Sequence, residues 1–374
     1  MVTTTIDEKS GFGMQNAPAQ KWSPTLDLCF IGGTPLLLLF LIVPGFLWGG
    51  AFYILPAFFA FALVPVLDAV LPLSQDTQRK EDLSPFTHQA LSFVPIVYTF
   101  LFLVLFTIQI FKLNTLSSIE IVLAVFSFSA MGTVLTAAGH ELIHKRQTLL
   151  KAVGEIPFVL FGYWHFPVAH IKNHHALVAT EKDNHAPNVG DTYWHYLIAS
   201  YPEAVRFSYD QIVHRQKTLQ AKFLGRVRIA FYIAAPVAAL ALCFQIAGWV
   251  GIAFYCCSAI LSLMIAEAAF YLQHYGLGRD ETEQVTPHLI WDSYHRFSNY
   301  LIFMVPRHAD HHLNWQKSYY LLRCYDDSQK LPVGYPTLVA MAFIPPLFFA
   351  TMNKLAPKTS ETITTNAPTF KARP

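Results

Sequence analysis

Arg307-His308-Ala309-Asp310-His311-His312 places three imidazoles within five residues, at i, i+3 and i+4. On a helix that spacing turns them to one face. Two further stretches repeat the theme, His140-Glu141-Leu142-Ile143-His144 and His170-Ile171-Lys172-Asn173-His174-His175, and the three together hold eight of the 16 histidines. A lone histidine is usually a packed or solvated side chain. Three clusters at helical spacing point instead to metal ligation, since imidazole suits iron, copper, zinc and nickel. His274, in Leu272-Gln273-His274-Tyr275-Gly276, is a ninth candidate. Nine imidazoles exceed the needs of one ion, because zinc takes four ligands and an octahedral iron six. Two ions divide them sensibly, and nitrogen sites with open positions suit iron that activates dioxygen. Glu141, Asp183, Asp191 and Asp310 are candidates to accept N–H bonds from ligand rings. Their plain alternative is solvated loop charge. Glu267 lies seven residues before His274, on about the same helix face, and an ionisable group at membrane depth is functional by default.

The elements that must position these residues read as membrane helices. The chain has 374 residues, 53% hydrophobic and only 13% charged, with 31 Phe. A soluble domain carries about 25% charged residues, so lipid is the expected solvent. A net charge of +2 gives no sign of nucleic-acid binding. A span needs about 20 apolar residues, and six stretches qualify: 26–48, 50–72, 89–111, 118–139, 229–248 and 250–273. Gly49-Gly50 reads as a tight hairpin between the first two. The apolar segment 335–352 is interrupted by Pro345-Pro346 and reads as interfacial or broken. Residues 1–25 are polar, with Asp7, Glu8, Lys9 and Lys21, and read as a flexible tail rather than a signal peptide; residues 354–374 read as a second tail. The membrane domain is then 26–353. None of the five cysteines forms a C-x-x-C, so they offer no rubredoxin-like or zinc-ribbon site.

The short connections at 49–50 and 112–117 carry only Lys112, whereas the opposite side carries Arg79, Lys80, Lys145, Arg146, Lys151, Lys172 and many more. The positive-inside bias puts that side and both termini in the cytoplasm. All nine histidines fall on that side. The expected fold is therefore all-α and integral to the membrane: six transmembrane helices with a cytoplasmic histidine-rich cap holding a metal centre. His140-Glu141-Leu142-Ile143-His144 also fits the H-E-x-x-H pattern of zinc proteases, with Glu141 as base. A protease would need one more ligand, not seven. A metal transporter would place ligands at the bilayer midplane, not at helix ends.

Longer motifs carry a family resemblance. Gly139-His140-Glu141-Leu142-Ile143-His144-Lys145, His170-x-x-x-His174-His175, Gln273-His274-Tyr275-Gly276-Leu277 and Arg307-His308-Ala309-Asp310-His311-His312 occur in order. So do Leu67-Asp68, Val178-Ala179-Thr180, Ser298-Asn299 and Gly334-Tyr335-Pro336. From about residue 30 to 350 the chain resembles the membrane-bound alkane 1-monooxygenases and the hydroxylase component of xylene monooxygenase, within the integral-membrane desaturases and hydroxylases. The resemblance implies a non-haem di-iron centre held by His140, His144, His170, His174, His175, His274, His308, His311 and His312. It implies hydroxylation of a terminal methyl group by dioxygen, with electrons from a rubredoxin or ferredoxin-type donor and its reductase. Ala169 and Asn173 replace the Glu and Gly usual in alkane hydroxylases, and Gly190-Asp191-Thr192 stands for a usual Gly-Glu-Ser. Ala169 and Glu267 resemble the xylene branch, which leaves a linear alkane, an alkyl-aromatic or a terpene methyl open as substrate. Acyl-lipid desaturation or hydroxylation is the alternative within the group. Ala60, among Phe58, Phe59 and Phe61, is a candidate wall of the substrate tunnel, with lipid-facing packing the plain alternative. Lys145, Arg146, Lys172 and Arg307 are candidates to attract an acidic electron donor.

Overall fold

The computed structural model describes residues 24–74, 83–183 and 185–356. Most of both expected tails, and Arg79 and Lys80, lie outside the described residues. Among the described residues five helices are long and apolar enough to cross a membrane: Thr25–Trp48, Gly50–Val70, Pro85–Thr115, Ser118–Ile143 and Leu219–His274. The expected fifth and sixth stretches both fall in the last of these, a 56-residue element. Gly248 interrupts it with φ 59 and ψ −146, a conformation open essentially to glycine alone. A Cβ on Gly251 would collide with the Cys243 carbonyl, although eight residues of straight helix span about 12 Å. The two arms therefore fold back on each other at Gly248. The expected break thus falls at Gly248, between two helices.

Gly49 and Gly50 have φ of 68 and 61 and make the first hairpin. It is pinned by Glu120, whose carboxylate accepts from Gly50 N at 2.6 Å. The same Glu120 closes a capping box with Ser117 at the start of the Ser118–Ile143 helix. The segment 335–352 divides, as its prolines predict, into Tyr335–Ala342 and Pro345–Met352. A single departure from all-α structure occurs among the described residues: Trp291–Asp292 pairs in parallel with Gln329–Lys330.

The Ser118–Ile143 helix is central, packed by the Pro85–Lys112, Thr148–Leu160 and Leu219–His274 helices. Small residues let backbones approach, as membrane packing requires. A Cβ on Gly132 would strike the Ser262 hydroxyl, and one on Gly139 would come within 2.8 Å of the Gly154 carbonyl. Aromatic rings fill the space between helices: Phe102, Phe106, Phe128 and Phe254 stack edge to face. Outward Phe93, Phe100, Phe111 and Phe231 are each at least half exposed, as expected of a lipid-facing surface.

The segments outside the apolar helices are tied down by buried polar nodes. Asp68 accepts from Phe297 N at 2.8 Å and from Ser298 N at 3.1 Å, capping the Arg296–Leu301 helix. The Ser298 hydroxyl donates to Asp68 and accepts from Tyr335 N at 3.0 Å, and Gly334 has no room for a Cβ beside that carboxylate. The dispersed motifs Leu67-Asp68, Ser298-Asn299 and Gly334-Tyr335 are therefore one physical junction. It ends at Gln273, which donates to the Tyr335 hydroxyl at 3.0 Å beside His274.

Candidate metal centre

The nine histidines converge in two sets. His140, His144, His170, His175 and His311 bring five ring nitrogens within 4.8 Å of one another, and His174, His274, His308 and His312 bring four. In the first set the His170 Nε2 stands 2.8, 3.1 and 3.0 Å from the Nε2 atoms of His140, His144 and His175. In the second, His308 Nε2 is 3.0 Å from those of both His274 and His312, and His174 is 3.1 Å from His312. One ring N–H serves one hydrogen bond, so a nitrogen meeting three others is not explained by hydrogen bonding. Metal coordination explains it. Nitrogens about 2.1 Å from a shared ion are about 3.0 Å apart at right angles and about 3.4 Å apart at the tetrahedral angle. The donor set fits a metal centre, and these separations match nitrogens gathered about shared ions.

Local backbone explains the sorting. His140 and His144 end the Ser118–Ile143 helix one turn apart. On an α-helix, His175 would stand about 140° round from His170. Residues 170–174 instead form a π-helical turn, with His175 N donating to the His170 carbonyl. The wider turn rotates His175 back beside His170 and leaves His174 for the other set. The His308–Leu313 helix likewise straddles both, giving His311 to one set and His308 and His312 to the other. Phe303 and Met304 just before it have φ of 52 and 55, strained for bulky residues. Asp292 Oδ1 holds the start of that helix by accepting from Ala309 N at 2.8 Å.

The carboxylates divide differently from expectation. Asp183 meets a ligand ring: both its oxygens lie 3.0 Å from His174 Nδ1. Glu141 points away from the rings, to Lys145 Nζ at 2.5 Å and Tyr319 N at 3.3 Å. Asp310 ties the following loop together, accepting from Lys317 Nζ at 2.6 Å, Asn314 at 2.7 Å and Arg323 N at 2.9 Å. Asp191 closes its own turn through Asn188 N at 2.9 Å and faces His195 at 3.3 Å. Glu267 is buried and takes the hydroxyls of Tyr163 and, at 3.1 Å, Tyr196. Two buried histidines had no motif to mark them. His185 joins His174 and Asp183 within 4.8 Å, and His165 packs 4.4 Å from Tyr163. Their surroundings are tertiary, so spacing carried no signal.

Arg307 was expected on a docking face but is 1% exposed. Its guanidinium donates to the Leu322 carbonyl and to Ser74 Oγ, so it braces the centre from within. Lys145 is held by Glu141 and by Ser318 at 3.0 Å. Arg146 and Lys172 remain exposed. Ala60 is 3% exposed, facing inward while Phe58 and Phe61 face out, which removes the lipid-facing alternative. Burial, reinforced by neighbouring imidazoles, holds His144, His170, His175, His308, His311 and His312 well below the ordinary histidine value of 6.5. They are neutral at pH 7, the form that ligates metal.

The chain is similar to several known proteins. Alkane 1-monooxygenase 1 of Pseudomonas aeruginosa is 34% identical over 240 residues, 60% of this chain and 61% of that protein. Alkane 1-monooxygenase 2 of Alcanivorax borkumensis is 27% identical over 79% of this chain and 80% of its own. The xylene/toluene monooxygenase hydroxylase component of Pseudomonas putida is 25% identical over 83% and 84% respectively. The matches to the two Pseudomonas aeruginosa relatives span 61% and 62% of their lengths. The family model described as fatty acid desaturase matches residues 117–330, which include all nine clustered histidines. This chain therefore belongs to the fatty acid desaturase family of proteins.

Proposed function

We propose that the chain is a membrane non-haem di-iron monooxygenase. It converts R–CH₃, O₂, two electrons and two protons to R–CH₂OH and water, where R–CH₃ is a hydrocarbon with a terminal methyl. The observation that carries this reading is the gathering of nine imidazoles into sets of five and four. His140, His144, His170, His175 and His311 would hold one iron, and His174, His274, His308 and His312 the other. Bound iron supplies the redox chemistry by which dioxygen is reduced and an inert terminal C–H bond is attacked. Asp183 keeps the proton of His174 on Nδ1 and so turns Nε2 inward. Phe166 stacks 4.9 Å from His170, and Phe270 lies 5.8 Å from it; both exclude water from that side. Glu267 accepts a hydrogen bond at each carboxylate oxygen, from the hydroxyls of Tyr163 and Tyr196.

The relatives named for alkane and xylene oxidation support a substrate that enters from lipid. Shape then sets regioselectivity, because each buried methylene contributes only about 0.8 kcal/mol. Buried Ala60 is placed to set the width of such a path. Counting the two arms around Gly248 separately gives six spans. The distribution of basic residues supports a cytoplasmic side for the histidine-bearing end and both termini, in an inner or plasma membrane on this reading. A rubredoxin or ferredoxin-type protein, with its reductase, delivers electrons there, and exposed Arg146 is a charge that attracts it. Family membership also favours a second reading, oxidation of an acyl lipid. Iron-replete membranes supplied with each donor system and fed octane, hexadecane, xylene and cymene separate the two. Primary alcohols from a free hydrocarbon support hydroxylation; a double bond in membrane acyl chains, with no alcohol, overturns it.

A further inference from the structure

A cavity of about 500 Å³ opens behind the first histidine set, within the size range of small-ligand sites. Ile143 and Ile171, the neighbours of His144 and His170, form its apolar side. The Thr148–Leu160 helix contributes Lys151 and Glu155, and the start of the Leu219–His274 helix contributes Leu224 and Arg228. Lys172 completes its basic lining. Glu155 is its one acidic residue and is already paired with Arg228 at 2.6 Å. Lys151 and Lys172 are exposed, and neither has an acidic partner among the described residues. The lining therefore presents two uncompensated cations.

Its surroundings have the composition of a headgroup layer. Leu149, Leu219, Phe223 and Leu224 are 76, 86, 64 and 57% exposed, which is costly in water and favourable against acyl chains. Lys222, Arg226 and Arg228 interleave with them, as basic residues do at the edge of an anionic leaflet. Gly225 closes the inner wall by packing without a Cβ against the Ile212 carbonyl. Gln211 and Gln216 add amide groups to the lining, which suit glycerol hydroxyls.

We propose that this cavity binds the phosphate diester headgroup of an anionic phospholipid, with Lys151 and Lys172 on the phosphate and the acyl chains along Leu149 and Leu224. The purified full-length protein is titrated with phosphatidylglycerol, phosphatidylcholine and inorganic phosphate, and bound lipid is counted by native mass spectrometry. Phosphatidylglycerol is expected to bind in preference to phosphatidylcholine, and inorganic phosphate not to displace it. The double variant Lys151→Gln with Lys172→Gln should lower phosphatidylglycerol affinity about 25-fold, each cation near an anionic surface being worth about five-fold. Lys112→Gln with Lys354→Gln removes the same charge outside the cavity lining and should leave affinity within about two-fold. Equal loss in both double variants would mean diffuse attraction and overturn the site. Displacement by inorganic phosphate would overturn the lipid as ligand. Unchanged lipid binding in Lys151→Gln with Lys172→Gln, with slower electron delivery from the donor, would make the cavity a protein dock and overturn it equally.

Discussion

His174 meets both oxygens of Asp183 at 3.0 Å through Nδ1, and that contact decides which nitrogen faces the other imidazoles. Asp183→Asn should therefore lower iron affinity about 10- to 100-fold, read as iron retained after dialysis. Asp191→Asn removes a carboxylate that touches no clustered histidine and should leave retention unchanged. The buried rings also set a pH dependence. Their pKa values lie well below 6.5 in the fold, so below about pH 6.5 the unfolded chain binds more protons than the folded one. Stability is then lost as pH falls, and protons compete with metal in the same direction. Melting temperature and retained iron should both decline from about pH 6.5 downward; a flat profile to pH 5 would contradict neutral ligation. Eight of the nine ligand candidates were legible because helical spacing is a property of the chain itself, and His274 because it ends an apolar stretch. Asp183 could not be told from Glu141, Asp191 and Asp310, because which carboxylate reaches a ring depends on how loops fold.

Spans and breaks were legible at the scale of elements. Apolar length marks a span, and the Gly49-Gly50 and Pro345-Pro346 steps interrupt the pattern. The π-helical turn at His170–His174 was not, because nothing in the residue types distinguishes an i→i+5 from an i→i+4 register. That turn is what divides nine histidines into five and four. Close helix approach matters as much. A Cβ on Gly139 would lie 2.6 Å from Pro157 Cγ, one residue before His140. Gly139→Val should cost about 1–3 kcal/mol by overpacking, lowering the melting temperature and releasing iron together. Gly33→Ala, with open space around it, should be neutral or slightly stabilising by the same assay. Gly248→Val should destabilise by about 1–3 kcal/mol through its left-handed backbone.

For the whole molecule, seven of the nine clustered histidines lie between and beyond the apolar helices, and His140 and His274 lie at the ends of two of those helices. The Asp68–Ser298–Tyr335–Gln273 chain ties the two regions together within hydrogen-bond distance of one another. Arg307 showed the limit of reading charge from sequence: a cation beside the ligands proved to be an internal brace. Arg146 and Lys172 are exposed charges beside the first set, and Arg146→Glu should slow donor-dependent turnover at low salt without changing iron content. The central claim, that these nine imidazoles cage two irons, is tested most directly by metal analysis of iron-replete, catalytically active purified protein. Two irons per chain, falling to about one when either His140 or His308 is replaced by alanine, is the expected result. Full activity with one iron, or with zinc in place of iron, would contradict it.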